Sequence, residues 1–150
     1  MEYYFAPMEG ITGYIHRNVH HSLFPGISKY FTAFIAPGQK GKFSAREKND
    51  ILPAHNQGIC TVPQLLTNNP RDFITTAAKL GELGYREINL NLGCPSRTVV
   101  TKYRGSGFLA KPRELDRFFE EVFSACKRGG EGPLGDMEIS VKTRLGVEEP

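Results

Sequence analysis

Apolar residues recur along the chain with two alternating spacings, one typical of strands and the other of helices. Short apolar runs predict five strands, at 2–6, 29–36, 60–66, 87–93 and 138–146. Apolar residues three or four positions apart predict three amphipathic helices, at 14–24, 68–84 and 112–127. This order indicates an α/β protein whose parallel strands are joined by helical crossovers.

The second and third helices have clear signals at their ends. Asn69 is a natural N-cap, Pro70 suits the first helical position, and Asp72 favours the positive end of the helix dipole. Pro112 opens the third helix in the same way. Near the end of that helix, Cys126 lies on the apolar stripe, so we expect its side chain to pack inward.

The first helix and the third strand have weaker signals. Ile15, Val19 and Leu23 lie at four-residue spacing, which predicts one apolar face, and Thr12 is the expected cap. Pro63 lies inside the predicted third strand. Because proline has no backbone N–H, we expect it to cost the strand one hydrogen bond of its ladder.

Two architectures fit parallel strands with helical crossovers: a doubly wound sheet and a (β/α)8 barrel. The segment after the first strand, PMEGITG, lacks the glycine fingerprint of a dinucleotide-binding doubly wound fold. A typical barrel needs about 250 residues and eight strands, and five strands are predicted here. The chain also stops in a connection, GVEEP. Either the chain forms an unusual open sheet, or residues 1–150 supply about the first five strands of a barrel, which the stop in a connection favours.

The composition is that of a globular domain, with 39% hydrophobic and 23% charged residues. A net charge of +3 permits a nucleic-acid partner if the positive residues gather on one face. No stretch approaches the roughly 20 apolar residues of a membrane helix, and MEYYFAPMEG does not resemble a signal peptide. These features predict a cytoplasmic protein without a membrane partner.

The cysteines and histidines do not predict a metal site. Cys60, Cys94 and Cys126 form neither a CxxC pair nor a zinc-like spacing, and three cysteines suggest reduced thiols. His16 and His20 are four positions apart on a predicted helix and could meet one metal ion. Without a third ligand at a matching position, a solvated helix surface is the expected interpretation.

Residues capable of chemistry collect where the predicted strands end. In parallel α/β folds this edge of the sheet carries the active site. The residues found there are Pro7, Met8, Glu9, Pro37, Gln64, Asn91, Cys94, Lys142 and Arg144. Cys94 stands out because it lies between a glycine and a proline at a strand exit, whereas structural cysteines usually lie inside an element. A packed loop thiol is the alternative.

The polar candidates also have structural alternatives. Lys142 on an apolar strand needs an anionic partner, which can be a bound ligand or a salt bridge to Glu9 or Glu87. Gln64 can donate and accept hydrogen bonds, either to a ligand or within the core. Asn91 can bind a substrate or cap the end of its strand.

Five segments resemble, in order and spacing, the tRNA-dihydrouridine synthases. They are FAPMEGITG, VPQLLTNN, INLNLGCPSRTVV, GSGFLAKP and SVKTRLG. The resemblance implies an FMN-binding (β/α)8 barrel followed by a small helical tRNA-binding domain. Residues 1–150 would form the amino-terminal part of that barrel, with its remainder and the helical domain outside this chain.

The resemblance also implies a reaction, the reduction of particular tRNA uridines to 5,6-dihydrouridine with electrons from NADPH. Reduced flavin would deliver hydride to C6 of uracil, while Cys94 would protonate C5. Lys142, Gln64 and the turn Pro7–Glu9, including Met8, would contact FMN. Asn91 would hold the edge of the uracil.

Basic residues near the strand ends are candidate tRNA contacts. Arg97, Lys102 and Arg104 follow Cys94, and a second set follows the second strand, namely Lys40, Lys42, Arg46 and Lys48. Ordinary solvated side chains are the alternative for each one. Two alternative functions stay open: another FMN barrel enzyme, similar to dihydroorotate dehydrogenases and acting on a free pyrimidine, and an inactive barrel fragment or RNA-binding module.

Overall fold

The computed structural model describes residues 1–38, 42–126 and 132–145 of the chain. The strands are β1 (Tyr3–Phe5), β2 (Ile27–Phe31), β3 (Thr61–Val62), β4 (Gln64–Leu65), β5 (Glu87–Asn91) and β6 (Glu138–Lys142). The helices are α1 (Tyr14–Leu23), α2 (Ala45–Ile51), α3 (Pro70–Glu82), α4 (Arg97–Val100) and α5 (Pro112–Ala125). Two short 3-10 helices cover Pro53–His55 and Gly105–Ala110. No helix in these ranges is long and apolar enough to cross a membrane.

All strands run parallel, in two ladders that meet at Pro63. One ladder contains β1, β2 and β3, and the other contains β4, β5 and β6. Pro63 separates β3 from β4, so the single strand predicted over 60–66 is divided into two short ones. Its carbonyl still accepts a hydrogen bond of 2.9 Å from the amide of Asn89. The strands therefore follow one another in chain order across the sheet.

The predicted α/β class with parallel strands is confirmed, but a closed barrel is not seen in the described part of the chain. Within it, β1 pairs only with β2 and β6 pairs only with β5. The second strand covers residues 27–31, so it begins and ends earlier than the predicted 29–36. After it, the amide of Thr32 still donates a hydrogen bond of 3.0 Å to the carbonyl of Val62, and Ile35 forms a single bridge to Leu65.

The main hydrophobic core lies between one face of the sheet and two helices. Phe73 of α3 and Phe118 of α5 pack edge to face, with ring centroids 5.6 Å apart. Ile88 and Leu90 of β5 belong to the same buried cluster. Each such side chain contributes about 1.5–3 kcal/mol when it is fully buried. Because successive residues of a strand alternate between faces, Asn89 and Asn91 of β5 point to the opposite side of the sheet.

The signals for the second and third helices are confirmed. The side chain of Asn69 accepts a hydrogen bond from the amide of Asp72, and Pro70 occupies the first turn. Pro112 opens α5. Cys126 follows α5, is partly buried and packs against the main core, as its place on the stripe predicted.

The predicted packing of α1 is wrong, although the helix itself is present. Ile15, Val19 and Leu23 are 64%, 53% and 66% exposed, whereas Arg17 is fully buried. The guanidinium of Arg17 lies 3.1 Å from the carboxylate of Asp50 on α2, which holds α1 by its polar face. No described element covers the apolar face of the helix.

The predicted cap of α1 is also wrong. Gly13 is the N-cap residue, and the carboxylate of Asp50 on α2 accepts a hydrogen bond of 2.6 Å from the amide of Tyr14 at the start of the helix. Thr12 instead bonds to the backbone of Met8, which closes the turn after β1. The connection after β2 contains a helix that the apolar spacing did not indicate, α2, which begins with a capping box between Ser44 and Glu47.

Candidate active site

The ends of β5 and β6 lie side by side and bring Lys142 next to the cysteine loop. Asn91 is the ladder partner of Lys142, and the amide of Leu92 donates a hydrogen bond of 2.8 Å to the carbonyl of Lys142. A Cβ atom on Gly93 would lie 3.2 Å from the carbonyl oxygen of Thr143. Glycine therefore permits the close approach of the two chain segments just before Cys94.

Asn91 shapes the turn that carries Cys94. Its Oδ1 accepts hydrogen bonds from the amides of Gly93, at 3.1 Å, and of Cys94, at 2.9 Å. Its Nδ2 donates to Oε1 of Gln64 at 2.7 Å. The buried side chain of Asn91 thus connects the cysteine loop with the neighbouring strand. The prediction that Asn91 lies near the cysteine is confirmed, and its contact with a uracil stays a prediction.

Gln64 continues this chain of amide groups into the sheet. It is fully buried, and its Nε2 donates a hydrogen bond of 2.8 Å to Oδ1 of Asn89. Asn89 in turn donates to the hydroxyl of Ser140 on β6, at 2.9 Å. Asn89 and Ser140 were not among the site residues predicted from the sequence. The signal was the NLN pattern of β5, whose two asparagines are two positions apart and hence lie on one face.

A second set of contacts holds the Cys94 loop from the other side. The amide and the hydroxyl of Ser106 both donate to the carbonyl oxygen of Cys94, each at 3.0 Å. Gly105 has a φ of +55°, and a Cβ atom there would lie 2.7 Å from the same oxygen. The Gly-Ser-Gly segment is therefore the support on which the loop rests, and side chains larger than hydrogen do not fit at Gly105.

The three cysteines lie in different environments. Cys94 is partly buried, and its thiol has no hydrogen-bond partner among the residues that the structure describes. Cys60 is exposed. Burial raises the pKa of the Cys126 thiol. Among them, Cys94 is the one at the end of a strand, in the loop that Asn91 holds.

Lys142 has a free ammonium group. It forms neither an ion pair nor a hydrogen bond with any residue in the described ranges. Glu87, one of its expected partners, instead binds Lys29 with an N–O distance of 2.6 Å, and this bond raises the pKa of Lys29. A salt bridge from Lys142 to Glu87 is therefore absent, and Glu9 does not bind it either. Lys142 and Asn89 both line a cavity of about 350 Å³.

The turn after β1 is folded by its own backbone. The carbonyl of Met8 accepts hydrogen bonds from the amides of Ile11 and Thr12, at 3.1 and 3.0 Å. Pro7 is partly buried, whereas Met8 and Glu9 are exposed. Glu9 borders a cleft of about 550 Å³ between α1 and α2. The turn is at the strand end, as predicted, and its contact with FMN stays a prediction.

The basic residues after Cys94 are accessible. Arg97 and Lys102 are exposed, and Arg104 is partly buried. None of the three forms an ion pair within the described part of the chain. The carbonyl of Lys102 accepts a hydrogen bond of 3.1 Å from Asn68, which ties this segment to the loop before α3.

Of the second basic set, Lys42, Arg46 and Lys48 are exposed, and Lys40 lies outside the described residues. In the ranges that the structure describes, no three metal-ligating side chains lie close enough together to hold a metal ion.

The chain matches the family model described as "Dihydrouridine synthase (Dus)" over residues 4–150. It is similar to a "Probable tRNA-dihydrouridine synthase" of Staphylococcus aureus (strain COL), with 30% identity over 96% of this chain and 41% of the relative. A protein of the same name from Staphylococcus epidermidis (strain ATCC 12228 / FDA PCI 1200) is 28% identical over 94% of this chain and 40% of the relative.

A further relative comes from Vibrio vulnificus (strain CMCP6). This "tRNA-dihydrouridine(20/20a) synthase" is 32% identical over 68% of this chain and 28% of its own length. The chain thus spans about two fifths of the length of the staphylococcal relatives it matches.

Proposed function

The chain belongs to the dihydrouridine synthase family, and we propose that the protein reduces particular uridines of tRNA to 5,6-dihydrouridine, with FMN as cofactor and NADPH as reductant. Relatives named for this activity support the proposal. The observation that carries it is the turn from Asn91 to Cys94, which holds a thiol at the end of β5 beside the unpaired Lys142.

We further propose that residues 1–150 are the amino-terminal part of a TIM barrel. The parallel strands in chain order and the unpaired outer sides of β1 and β6 support this placement. The rest of the barrel and a helical tRNA-binding domain would then lie outside this chain. Alone, residues 1–150 would be inactive and would self-associate through the open sheet edges.

Lys142 fits a flavin, whereas the buried amide of Gln64 is already bonded to Asn89 and Asn91 and would have to exchange a partner to reach one. Lys142 offers a cation with no protein partner in the described ranges, which suits an anionic ring edge, and it lines a cavity together with Asn89 and Ser140. We assign Lys142, Gln64 and the turn of Pro7, Met8 and Glu9 to this cofactor. When bound, FMN supplies the hydride for C6 of the uracil.

Cys94 would supply the proton for C5. A cysteine thiol is a general acid of the right size to reach one face of a flat base. The Sγ–H bond breaks as the C5–H bond forms, and the resulting thiolate regains a proton from solvent. The hydrogen bonds from the amides of Gly93 and Cys94 to Asn91 fix the loop, so the thiol keeps its position during proton transfer.

Asn91 would also hold the uracil edge, and Arg97, Lys102 and Arg104 would bind tRNA phosphates. These three cations have no carboxylate partner in the described ranges, so they are available to a polyanion. A uridine within folded tRNA has to leave its stack to reach a protein site, which requires phosphate contacts around the site entrance.

The proposal can be tested with the complete protein that carries this sequence. We expect a flavin absorbance spectrum, oxidation of NADPH that depends on unmodified tRNA, and dihydrouridine in the nuclease digest of that tRNA. A tRNA that already contains dihydrouridine is the matched control. Turnover of a free pyrimidine without tRNA would favour the dihydroorotate-dehydrogenase-like alternative, and a protein without flavin would contradict both enzyme hypotheses.

A further inference from the structure

Tyr103 has a backbone conformation that tyrosine rarely adopts. Its φ is +50°, and it is the sole residue other than glycine with a positive φ in the described ranges. A bulky side chain at such a φ crowds its own backbone, whereas glycine adopts this conformation freely. The turn that ends α4 uses this φ, since the amide of Arg104 donates to the carbonyl of Val99 at 3.2 Å. Local backbone preference disfavours tyrosine at that position, so what tyrosine contributes lies in its side chain.

The side chain of Tyr103 is presented to solvent beside a cation. It is 50% exposed, and the ammonium of Lys111 lies 4.6 Å from the centre of its ring. A cation at this distance is attracted to the electron-rich face of the ring and keeps the two side chains together. No hydrogen bond ties the Tyr103 hydroxyl to another described residue. An aromatic ring and a positive charge are thus displayed as one unit.

This unit lies in a stretch of one charge sign. Residues 88–113 contain five basic residues and no acidic one. The four that lie nearest in sequence to Tyr103 are Arg97, Lys102, Arg104 and Lys111, and none forms an ion pair with a described residue. Unneutralised charges of one sign attract a polyanion. The combination with an exposed aromatic ring favours a single-stranded nucleic acid over other polyanions, because a nucleobase has a flat face to stack.

The same stretch touches the candidate active site. The amide of Tyr103 donates a hydrogen bond of 2.9 Å to the carbonyl of Val100. Two residues later, Gly105 lies against the carbonyl of Cys94, to which Ser106 is hydrogen-bonded. A molecule held by Tyr103 is therefore held by the segment that supports the Cys94 loop.

We propose that Tyr103 and Lys111 form an RNA-binding site, in which the tyrosine ring stacks on an unpaired base of the tRNA and Lys111 faces the adjoining phosphate. This inference rests on the proposed function, because it takes tRNA as the substrate. Extrusion of the target uridine leaves neighbouring bases without a stacking partner. The Tyr103 ring replaces such a partner.

The test uses the complete protein and compares Tyr103→Gly, Tyr103→Phe and Lys111→Gln. Tyr103→Gly relieves the backbone strain, so its melting temperature should stay equal or rise, while its affinity for unmodified tRNA falls about 10-fold. Tyr103→Phe should keep the affinity within about 2-fold of wild type, because the ring remains. Lys111→Gln should reduce the slope of log affinity against log salt by about one.

Two variants provide matched controls. Tyr3 is another exposed tyrosine, on β1, and Arg86 precedes β5 at the opposite end of the strand from Cys94. Tyr3→Ala and Arg86→Gln should leave the affinity for tRNA unchanged.

In steady-state assays Tyr103→Gly should raise KM for tRNA more than it lowers kcat.

The outcomes separate this inference from the function on which it rests. If the wild type forms dihydrouridine in tRNA and Tyr103→Gly binds tRNA as tightly as the wild type, the RNA-binding site is wrong and the function stands. If Tyr103→Gly loses affinity but also melts at a lower temperature, the tyrosine is a structural residue and the inference is again wrong. A wild type that neither binds nor reduces tRNA overturns the function as well.

Discussion

The side-chain oxygen of Asn91 accepts a hydrogen bond of 2.9 Å from the backbone amide of Cys94, and so fixes the turn that carries the thiol. The same side chain donates to Gln64 at 2.7 Å. The atoms that bond to the Asn91 side chain are buried or partly buried. If this side chain is removed, they therefore have no replacement hydrogen-bond partner. The position of the candidate proton donor therefore depends on a residue three positions earlier.

Replacing Asn91 should affect both stability and activity. We expect Asn91→Ala to lower the free energy of unfolding by about 1–3 kcal/mol, because buried hydrogen-bonding groups lose their partner. Uridine reduction should fall further than the loss of folded protein explains. Urea unfolding and dihydrouridine analysis measure the two effects. Asn18→Ala is the control, since Asn18 donates to His55 far along the chain from Cys94, and it should keep full specific activity.

Replacing Cys94 tests the proton donor directly. Cys94→Ala in the complete protein should retain the flavin spectrum and reduce uridine turnover by about 10²-fold or more, the usual scale for a lost general acid. Cys60→Ala, at an exposed thiol, is the matched control and should turn over uridine at the wild-type rate. Wild-type turnover by Cys94→Ala would remove this residue from the mechanism.

Substitutions at two glycines with positive φ distinguish the steric support of the cysteine loop from the cost of backbone strain. Gly84 has a φ of +97° and open space where the methyl group of an alanine would lie, whereas a methyl group on Gly105 would collide with Cys94 and Val99. We expect Gly84→Ala to cost about 1–2 kcal/mol of unfolding free energy. Gly105→Ala should cost clearly more in urea unfolding and should also reduce activity. Equal costs would mean that the loop moves aside without penalty.

The basic residues after Cys94 should govern the salt dependence of tRNA binding. Neutralising Arg97, Lys102 and Arg104 together should weaken binding and lower the slope of log affinity against log salt by about two to three, because fewer counterions are released. Reduction of the flavin by NADPH should hardly change. A slope equal to that of the wild type would show that these side chains do not face the RNA.

The buried Arg17 should be essential for the attachment of α1. Its guanidinium binds Asp50 and Asn56, at 3.1 and 2.8 Å. Arg17→Met should lower the unfolding free energy by about 3–5 kcal/mol, because it leaves the Asp50 carboxylate without its partner. Chemical denaturation measures the effect, and Arg71→Met, at an exposed arginine, should change it by less than about 0.5 kcal/mol.

Local signals in the sequence were sufficient for some elements and not for others. The capping pattern of Asn69 and Pro70 predicted the start of α3, because caps act within one helical turn. The apolar spacing of α1 predicted the helix but not its buried side, since the burial of Arg17 depends on Asp50, 33 positions later.

From the sequence, the candidate site could be predicted only as the set of residues that lie where the strands end. That Cys94, Asn91 and Lys142 come together follows from parallel strands sharing one edge. The bond between Gln64 and Asn91 depends on the register between β4 and β5, which no local pattern specifies. The backbone of Tyr103 could not be anticipated either, because sequence preference favours glycine at a positive φ.

Pro63 has a consequence for the local unfolding of the molecule. It divides the sheet into two ladders, and the main buried cluster packs mostly against the second one. We expect amide hydrogen exchange to be faster in β1 and α1 than in a slowly exchanging unit around the second ladder, with the bonds of Ile35 to Gln64 and Leu66 joining the two parts. The amide of Cys94, bonded to Asn91 at the end of the second ladder, belongs to the slowly exchanging unit.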